Sequence, residues 1–284
     1  MLYYFYISAR WLVLHVPIEI GYKVAVFLAD IYYCFAMDDK KNLKNNLEIV
    51  LGKIDKKMME VHIKNVFRNF AKYLVDFFRF SKIDNEFILK YVSIKGKENL
   101  DKTIAYGKGT IFLTAHIGNW ELGGAVVASL GYPFYAIVLD HQDKRINHFF
   151  ISQRAVCGAN IIGIGSQLRN CFRVLRKNAT LAIVGDKDFT NNGIPTTFFG
   201  KLAILPKGPA IFSLRTGAAI LPTFVIRTKD DKFALYFEDP IYPEHTGDEV
   251  LDIKRIMNSY LRVMERFIYQ YPDQWYAFRK VWSE

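Results

Sequence analysis

GTIFLTAHIGNWELGGAVVASL, residues 109–130, is the stretch whose reading decides the fold. Gly109–Thr114 is a short apolar run rich in β-branched and aromatic side chains and reads as a buried strand. From Trp120 onward the alternation is lost and small and aliphatic residues follow one another, which reads as a helix. Between them lie Ala115, His116, Ile117, Gly118 and Asn119. Asn119 is a good N-cap, so the helix starts there and Glu121 falls in its first turn. On a continuous helix a spacing of five would set His116 and Glu121 about 140° apart. Gly118 relieves this, because the backbone there need not be helical. The two side chains therefore meet only in a strand-to-helix turn, with the Glu121 carboxylate turned back towards the imidazole. A neutral imidazole so placed removes a proton from a hydroxyl, and the carboxylate behind it fixes the tautomer and stabilises the imidazolium. No protein nucleophile belongs to the arrangement, so a substrate alcohol attacks directly. The plainer alternative is a histidine satisfied in the core and a glutamate favoured by the helix dipole.

Outward from this stretch the same rhythm recurs. Apolar runs at 91–96, 133–139, 179–186, 218–227 and 232–239 alternate with helical stretches near 119–130, 143–157, 166–177 and 206–216, followed by a helix over 248–271. Strand and helix in alternation predict an α/β fold, a mainly parallel sheet flanked by helices. The last two runs, separated by TKDD (228–231), are expected to form a hairpin at the sheet edge. Ligands in such folds collect beyond the carboxyl ends of strands, which singles out the ends of GTIFLTAH and ATLAIVGD.

Residues 38–90 read as helical, with a stop at Gly52 and a new start at Asp55. Val61, Val66, Phe67, Phe70, Leu74, Phe77 and Phe78 recur at three- and four-residue steps and predict one buried stripe. Residues 1–37 are strongly apolar, but Arg10, Glu19, Lys23 and Asp30 interrupt them and Pro17 divides them into two helices. No apolar run approaches the roughly 18–20 residues of a membrane-crossing helix. The tyrosines and tryptophan favour helices lying in the membrane interface. Packing on the main domain and a single tilted span are the alternatives. The expected organisation is residues 1–37 as membrane-associating helices and 38–284 as one catalytic domain, helical over 38–90 and α/β over 91–284.

Hydrophobic residues form 51% of the 284-residue chain, enough for a sizeable core and too many for disorder. The net charge of +10 points to an anionic partner. The cations come with no zinc-finger, homeodomain or RNA-recognition signature, so an anionic membrane surface is expected and nucleic acid is not. Cys34, Cys157 and Cys171 lack CxxC pairing, and His15, His62, His141, His148 and His245 lack ligand spacing, so neither a disulfide framework nor a metal or other cofactor is indicated. The run Gly163-Ile164-Gly165-Ser166-Gln167 does not supply a nucleophile elbow, which argues against a serine thioesterase or lipase.

GKGTIFLTAHIGNWE resembles the signature of the late acyltransferases of lipid A biosynthesis, within the wider glycerolipid acyltransferase superfamily. NHFFISQRAVCG (147–158), IVGDKDF (183–189), FFG (198–200), TGAAILPTF (216–224) and YPDQWYAF (271–278) resemble further segments of that family in the same order. The resemblance implies transfer of an acyl chain from a thioester, on acyl carrier protein or coenzyme A, to a hydroxyl of a membrane glycolipid. A lipid A precursor is the first choice of acceptor and a phosphatidylinositol mannoside the alternative. It also implies a site on the cytoplasmic face of the inner membrane, with His116 as general base and Glu121 as its partner. Arg154 would bind an acceptor phosphate or the thioester oxyanion; Asp186 would orient Arg154 or the acceptor hydroxyl. Phe198, Phe199 and Gly200 would line the acyl path, and Asn119 would contact substrate if it were not simply the N-cap. Lys187 stands where many members carry glutamine, and Phe278 where many lipid A enzymes have histidine, which bears on the acceptor.

Overall fold

Pro17 and Asp55 divide the N-terminal third as the sequence predicts. In the computed structural model, which describes residues 2–164 and 169–282, helices Leu2–His15 (α1) and Ile18–Phe35 (α2) are separated at Pro17. Met37–Leu51 (α3) ends at Gly52, whose φ of +70° suits glycine. Lys56–Phe78 (α4) begins where the Asp55 carboxylate accepts from the backbone N–H groups of Lys57 and Met58. Val66, Phe67, Phe77 and Phe78 form the buried stripe of α4; Val61 departs from the expectation and is exposed. Both α1 and α2 pack on α4. They bury Val13, Tyr22 and Ala29 there, yet leave a broad apolar surface open, with Trp11 60%, Phe27 64% and Phe35 78% exposed. Among the described residues no single helix is long and apolar enough to cross a membrane; α2 and α3 would reach that length together but are bent by 93°.

After helix Asn85–Tyr91 (α5), strand Val92–Lys95 (β1) and helix Lys97–Ala105 (α6), strand Thr110–Thr114 (β2) enters the middle of the sheet with all five residues buried. The elements that follow are Trp120–Ser129 (α7), Phe134–Val138 (β3), Lys144–Val156 (α8), Asn160–Gly163 (β4), Arg169–Arg176 (α9) and Thr180–Val184 (β5). Ile194–Phe198 (β6), Lys201–Leu205 (β7), Gly208–Thr216 (α10), Ala219–Arg227 (β8), Phe233–Phe237 (β9) and Glu249–Gln270 (α11) come next. Seven strands form one sheet in the order β1-β9-β8-β2-β5-β3-β4. All neighbours are parallel except the β8–β9 pair. This is the predicted α/β architecture. One face is covered by α9, α10 and α11, through residues such as Leu175, Phe212 and Met264. The other is covered by α6 and α7, through Leu100, Leu122 and Val126.

Several details differ from the sequence reading. The β8–β9 hairpin exists but is not the edge, because β1 adds outside β9 in parallel. Strand β4, helix α6 and the β6–β7 hairpin are additional elements; each is short, which weakens its periodic signal. The helix expected over 166–177 is α9, and residues 166–168 lie outside the described residues.

Candidate active site

The sheet order brings two loops together that are 70 residues apart in the chain. From β2 the chain passes to β3 and β4 and then returns, so that β5 lies directly against β2. The two strands run parallel with Thr114 opposite Val184. Two residues beyond each of these come His116 and Asp186, side by side at the carboxyl end of the sheet. His116 Nδ1 lies 2.6 Å from Asp186 Oδ1, and the Trp275 indole N–H donates to the other carboxylate oxygen at 2.9 Å. Asp186 and Trp275 are both fully buried. Burial alone would raise the Asp186 carboxyl. The hydrogen bond from His116 and the pull of that ring when it is protonated, the nearby Lys187 and the indole outweigh it and hold the group well below the usual carboxylate range. With Nδ1–H committed to a carboxylate, Nε2 is the imidazole nitrogen left to accept a proton.

The geometry of the turn depends on Gly118. Its φ is +59°, and a Cβ there would meet the Val225 carbonyl oxygen at 1.9 Å. The approach is this close because the Asn119 N–H donates to that carbonyl at 2.8 Å. The C-terminal segment Gln274–Tyr276 straps the same loop: Gly118 N–H donates to the Gln274 carbonyl at 2.9 Å and Tyr276 N–H to the His116 carbonyl at 2.8 Å. Asn119 is the N-cap, accepting from Leu122 N–H at 3.0 Å, and its amide donates to the buried Asp76 at 2.9 Å. Asp76 in turn pairs with Arg227 and accepts from the Tyr22 hydroxyl at 2.5 Å.

Glu121 does not turn back to the imidazole. It receives Arg154 side-on, with Nε 2.9 Å from Oε2 and Nη2 2.5 Å from Oε1. His116 already has a carboxylate in the parallel register of β2 and β5, whereas Glu121 in the first turn of α7 faces the end of α8, where Arg154 stands. The pair is mostly buried, with side-chain exposures of 14% and 12%, and the guanidinium lies over the Phe77 ring at 5.4 Å. Burial works against the Arg154 charge, but Glu121 more than compensates and raises its pKa.

His116, Glu121 and Arg154 all open onto one cavity of about 560 Å³. Its walls are largely apolar, built by Ile137, Val138, Ile183, Val184, Ile211 and Phe212. That size and lining suit a small lipid-like ligand with its reacting end at a few polar groups.

Set against known proteins, the sequence matches the family described as bacterial lipid A biosynthesis acyltransferase over residues 1–284. The chain belongs to that family. It is an acyltransferase of the lipid A and glycolipid type. It is 23% identical over 266 residues to a phosphatidylinositol mannoside acyltransferase of Mycolicibacterium smegmatis, covering 90% of this chain and 84% of the relative. It is 24% identical over 279 residues to the lipid A biosynthesis palmitoleoyltransferase of Escherichia coli, covering 96% and 88%. Among solved structures it is similar to the 1-acyl-sn-glycerophosphate acyltransferase PlsC of Thermotoga maritima, with a TM-score of 0.40 and 16% identity, over 86% of this chain and 97% of that one.

The remaining expected site residues of this acyltransferase fall elsewhere than the sequence reading places them. Asp186 does not meet Arg154; its two oxygens are taken by His116 and Trp275. Asn119 is the N-cap, 1% exposed, with its amide satisfied by Asp76. Phe198 is fully buried against Trp282, and Phe199 and Gly200 form the tight β6–β7 turn with φ of +49° and +70°. None of the three lines the described cavity, because the hairpin turn carries them away from it. Asp188 is a loop cap, accepting from Thr190 and Gly193 N–H at 2.9 and 2.7 Å. Lys187 donates to the Tyr276 carbonyl at 3.1 Å, and burial lowers its pKa. The residue missed from sequence is Trp275. It is completely buried, and nothing local marks it as a partner of Asp186, 89 positions away.

Proposed function

We propose that His116 is the general base of acyl transfer from a thioester to a glycolipid hydroxyl, with Asp186 rather than Glu121 as the carboxylate behind it. The observation that carries this is the His116 Nδ1–Asp186 contact at the mouth of an apolar cavity. The acyl chain occupies the cavity and presents its thioester carbonyl near His116. Nε2 takes the proton of the acceptor hydroxyl while that oxygen bonds to the carbonyl carbon. The tetrahedral oxyanion then expels the thiolate as the C–S bond breaks, and the imidazolium returns the proton to the departing sulfur. Asp186 holds the productive tautomer and offsets the imidazolium charge during these steps. Arg154, two of whose nitrogens are held by Glu121, keeps Nη1 to meet the oxyanion or an acceptor phosphate.

The donor is an acyl thioester of acyl carrier protein or coenzyme A. The acceptor is a lipid A precursor; a phosphatidylinositol mannoside is the alternative, favoured by the relative from Mycolicibacterium smegmatis. Residues 1–37 lie in the cytoplasmic leaflet of the inner membrane, which the exposed aromatic and aliphatic side chains of α1 and α2 support. Mass spectrometry of cellular lipids with and without the gene tests the acceptor. A glycolipid lacking one acyl chain is expected, and an unchanged glycolipid profile would sink the assignment. Release of free fatty acid in preference to acylated lipid, with acceptor present, would instead make the protein a thioesterase.

A further inference from the structure

The cations of this chain are unevenly placed. Between Cys157 and Lys229 there are ten Lys and Arg and two Asp, an excess of eight within a chain whose net charge is +10. Both acids are committed to the interior or to a loop cap, Asp186 on His116 and Asp188 on Thr190 and Gly193. Helix α9 concentrates the effect. Arg169, Arg173 and Arg176 follow at i, i+4 and i+7, all exposed, and none has an ion-pair partner among the described residues. On one helix face they make a positive stripe about 10 Å long.

The stripe lies beside the cavity. Phe172 of α9 lines it and meets the Phe212 ring of α10 at 5.0 Å, and Lys207, at the start of α10, lines it too. It is separate from the apolar surface of α1 and α2. Helix α9 packs on β5 and α10, whereas α1 and α2 pack on α4. Among the described residues no large hydrophobic side chain is exposed between Cys157 and Lys187, so this face lacks the apolar component of an interfacial helix.

We infer that the exposed face of α9 is the docking surface for an acidic carrier protein that bears the acyl thioester, delivering it past Phe172 and Lys207 into the cavity. The inference rests on the proposed thioester reaction and selects a protein-borne donor over a small one. An unpaired row of three arginines on a convex helix suits a partner helix carrying several carboxylates. A nucleotide-like handle would need a cleft, and the row lines no described cavity.

The test uses the full-length protein in detergent with three donors: acyl-carrier protein, acyl-coenzyme A and acyl-pantetheine. The triple substitution Arg169→Glu, Arg173→Glu and Arg176→Glu is expected to lower kcat/KM for acyl-carrier protein about tenfold or more, mainly through KM. It should leave acyl-pantetheine turnover unchanged. Added salt should weaken the wild type on the carrier donor and barely affect the variant. The corresponding Arg→Gln triple, which removes attraction without adding repulsion, should show a smaller loss of the same kind and serves if the Glu triple does not fold. Equal losses on all donors, or unchanged carrier turnover, would overturn the inference. So would loss of binding to phosphatidylglycerol vesicles with carrier kinetics intact, which would make the stripe a membrane contact. A wild type that uses acyl-coenzyme A but not acyl-carrier protein would remove the docking surface and leave acyl transfer standing. A protein that transfers acyl groups from none of the donors would remove the underlying reaction instead.

Discussion

Two acid–base pairs face the same cavity, one at the end of the sheet and one between two helices. In the first, His116 and Asp186 sit at matched positions beyond paired strands, and a buried indole fixes the carboxylate from behind. In the second, Glu121 and Arg154 hold each other through two short hydrogen bonds on α7 and α8. The difference is in what each can do with a proton. An imidazole backed by a carboxylate can take one and return it within a catalytic cycle. A guanidinium cannot release one at any working pH, so the second pair is a fixed dipole. In the proposed reaction the first pair serves as the base, and the second shapes the cavity and presents charge.

The contrast breaks most sharply at His116. His116→Ala should lower kcat about 10³-fold in a protein that still folds, with circular dichroism close to wild type and a lowered thermal midpoint, because the buried Asp186 loses its imidazole partner. Full activity in a folded His116→Ala protein would end the general-base assignment. Asp186→Asn should be the next largest, with a loss on the order of 10²-fold, the lower end of what general acid–base catalysis contributes, because the amide no longer fixes the productive tautomer. This variant also has a stability signature with a definite sign. Asp186 is depressed in the folded protein, so its charged form stabilises above the unfolded carboxyl value of about 3.9. That contribution disappears as pH falls through the folded value. Denaturant melts of the two proteins should therefore converge towards strong acid, and a gap that widened on acidification would contradict the depressed carboxyl.

What the sequence makes legible follows from what is local. Pro17, Gly52 and Asp55 act within a few residues, and the helix boundaries fall where they dictate. Gly118 and Asn119 are likewise local, so the strand-to-helix turn at His116 is predictable in kind. The partner of His116 is not. It depends on β5 inserting beside β2 after β3 and β4 have been laid outside, and on the register of that pairing. The ends of both strands are visible in the sequence as ionisable residues after apolar runs, but the nearer carboxylate, Glu121, draws the pairing. Phe198 to Gly200 fails for a similar reason. Aromatic residues before a glycine are compatible with a ligand wall or a tight turn, and only the hairpin decides between them.

Glu121→Gln tests the second pair. Removing one partner of a mostly buried ion pair leaves Arg154 uncompensated and should cost about 3 kcal/mol of stability. Activity should fall about tenfold, well short of the effect of Asp186→Asn. The double variant Glu121→Leu, Arg154→Met should recover most of the stability, since apolar replacement of a buried pair is often neutral, without recovering activity. If Glu121→Gln abolished turnover as completely as His116→Ala in a folded protein, the division of labour between the pairs would be wrong.

The smallest effect concerns Cys157, which lies one turn beyond Arg154 and reports on the packing behind the second pair. Burial, with a smaller contribution from Glu121, pushes its thiol up to about 12, and its sulfur faces the Phe80 carbonyl at 3.6 Å. A neutral, half-buried thiol is a poor nucleophile at neutral pH. Cys34 is exposed on α2. Iodoacetamide at neutral pH should therefore label Cys34 and spare Cys157, with labelled sites read by peptide mass spectrometry. In Glu121→Gln the pair that closes this region is lost, so Cys157 labelling should rise while Cys34 is unchanged. In Asp186→Asn it should not rise, because the indole-held carboxylate belongs to the other end of the cavity. Equal labelling of Cys157 in both variants would mean that the two pairs open together, and that the cavity responds as one unit rather than as a proton-transferring end and a fixed one.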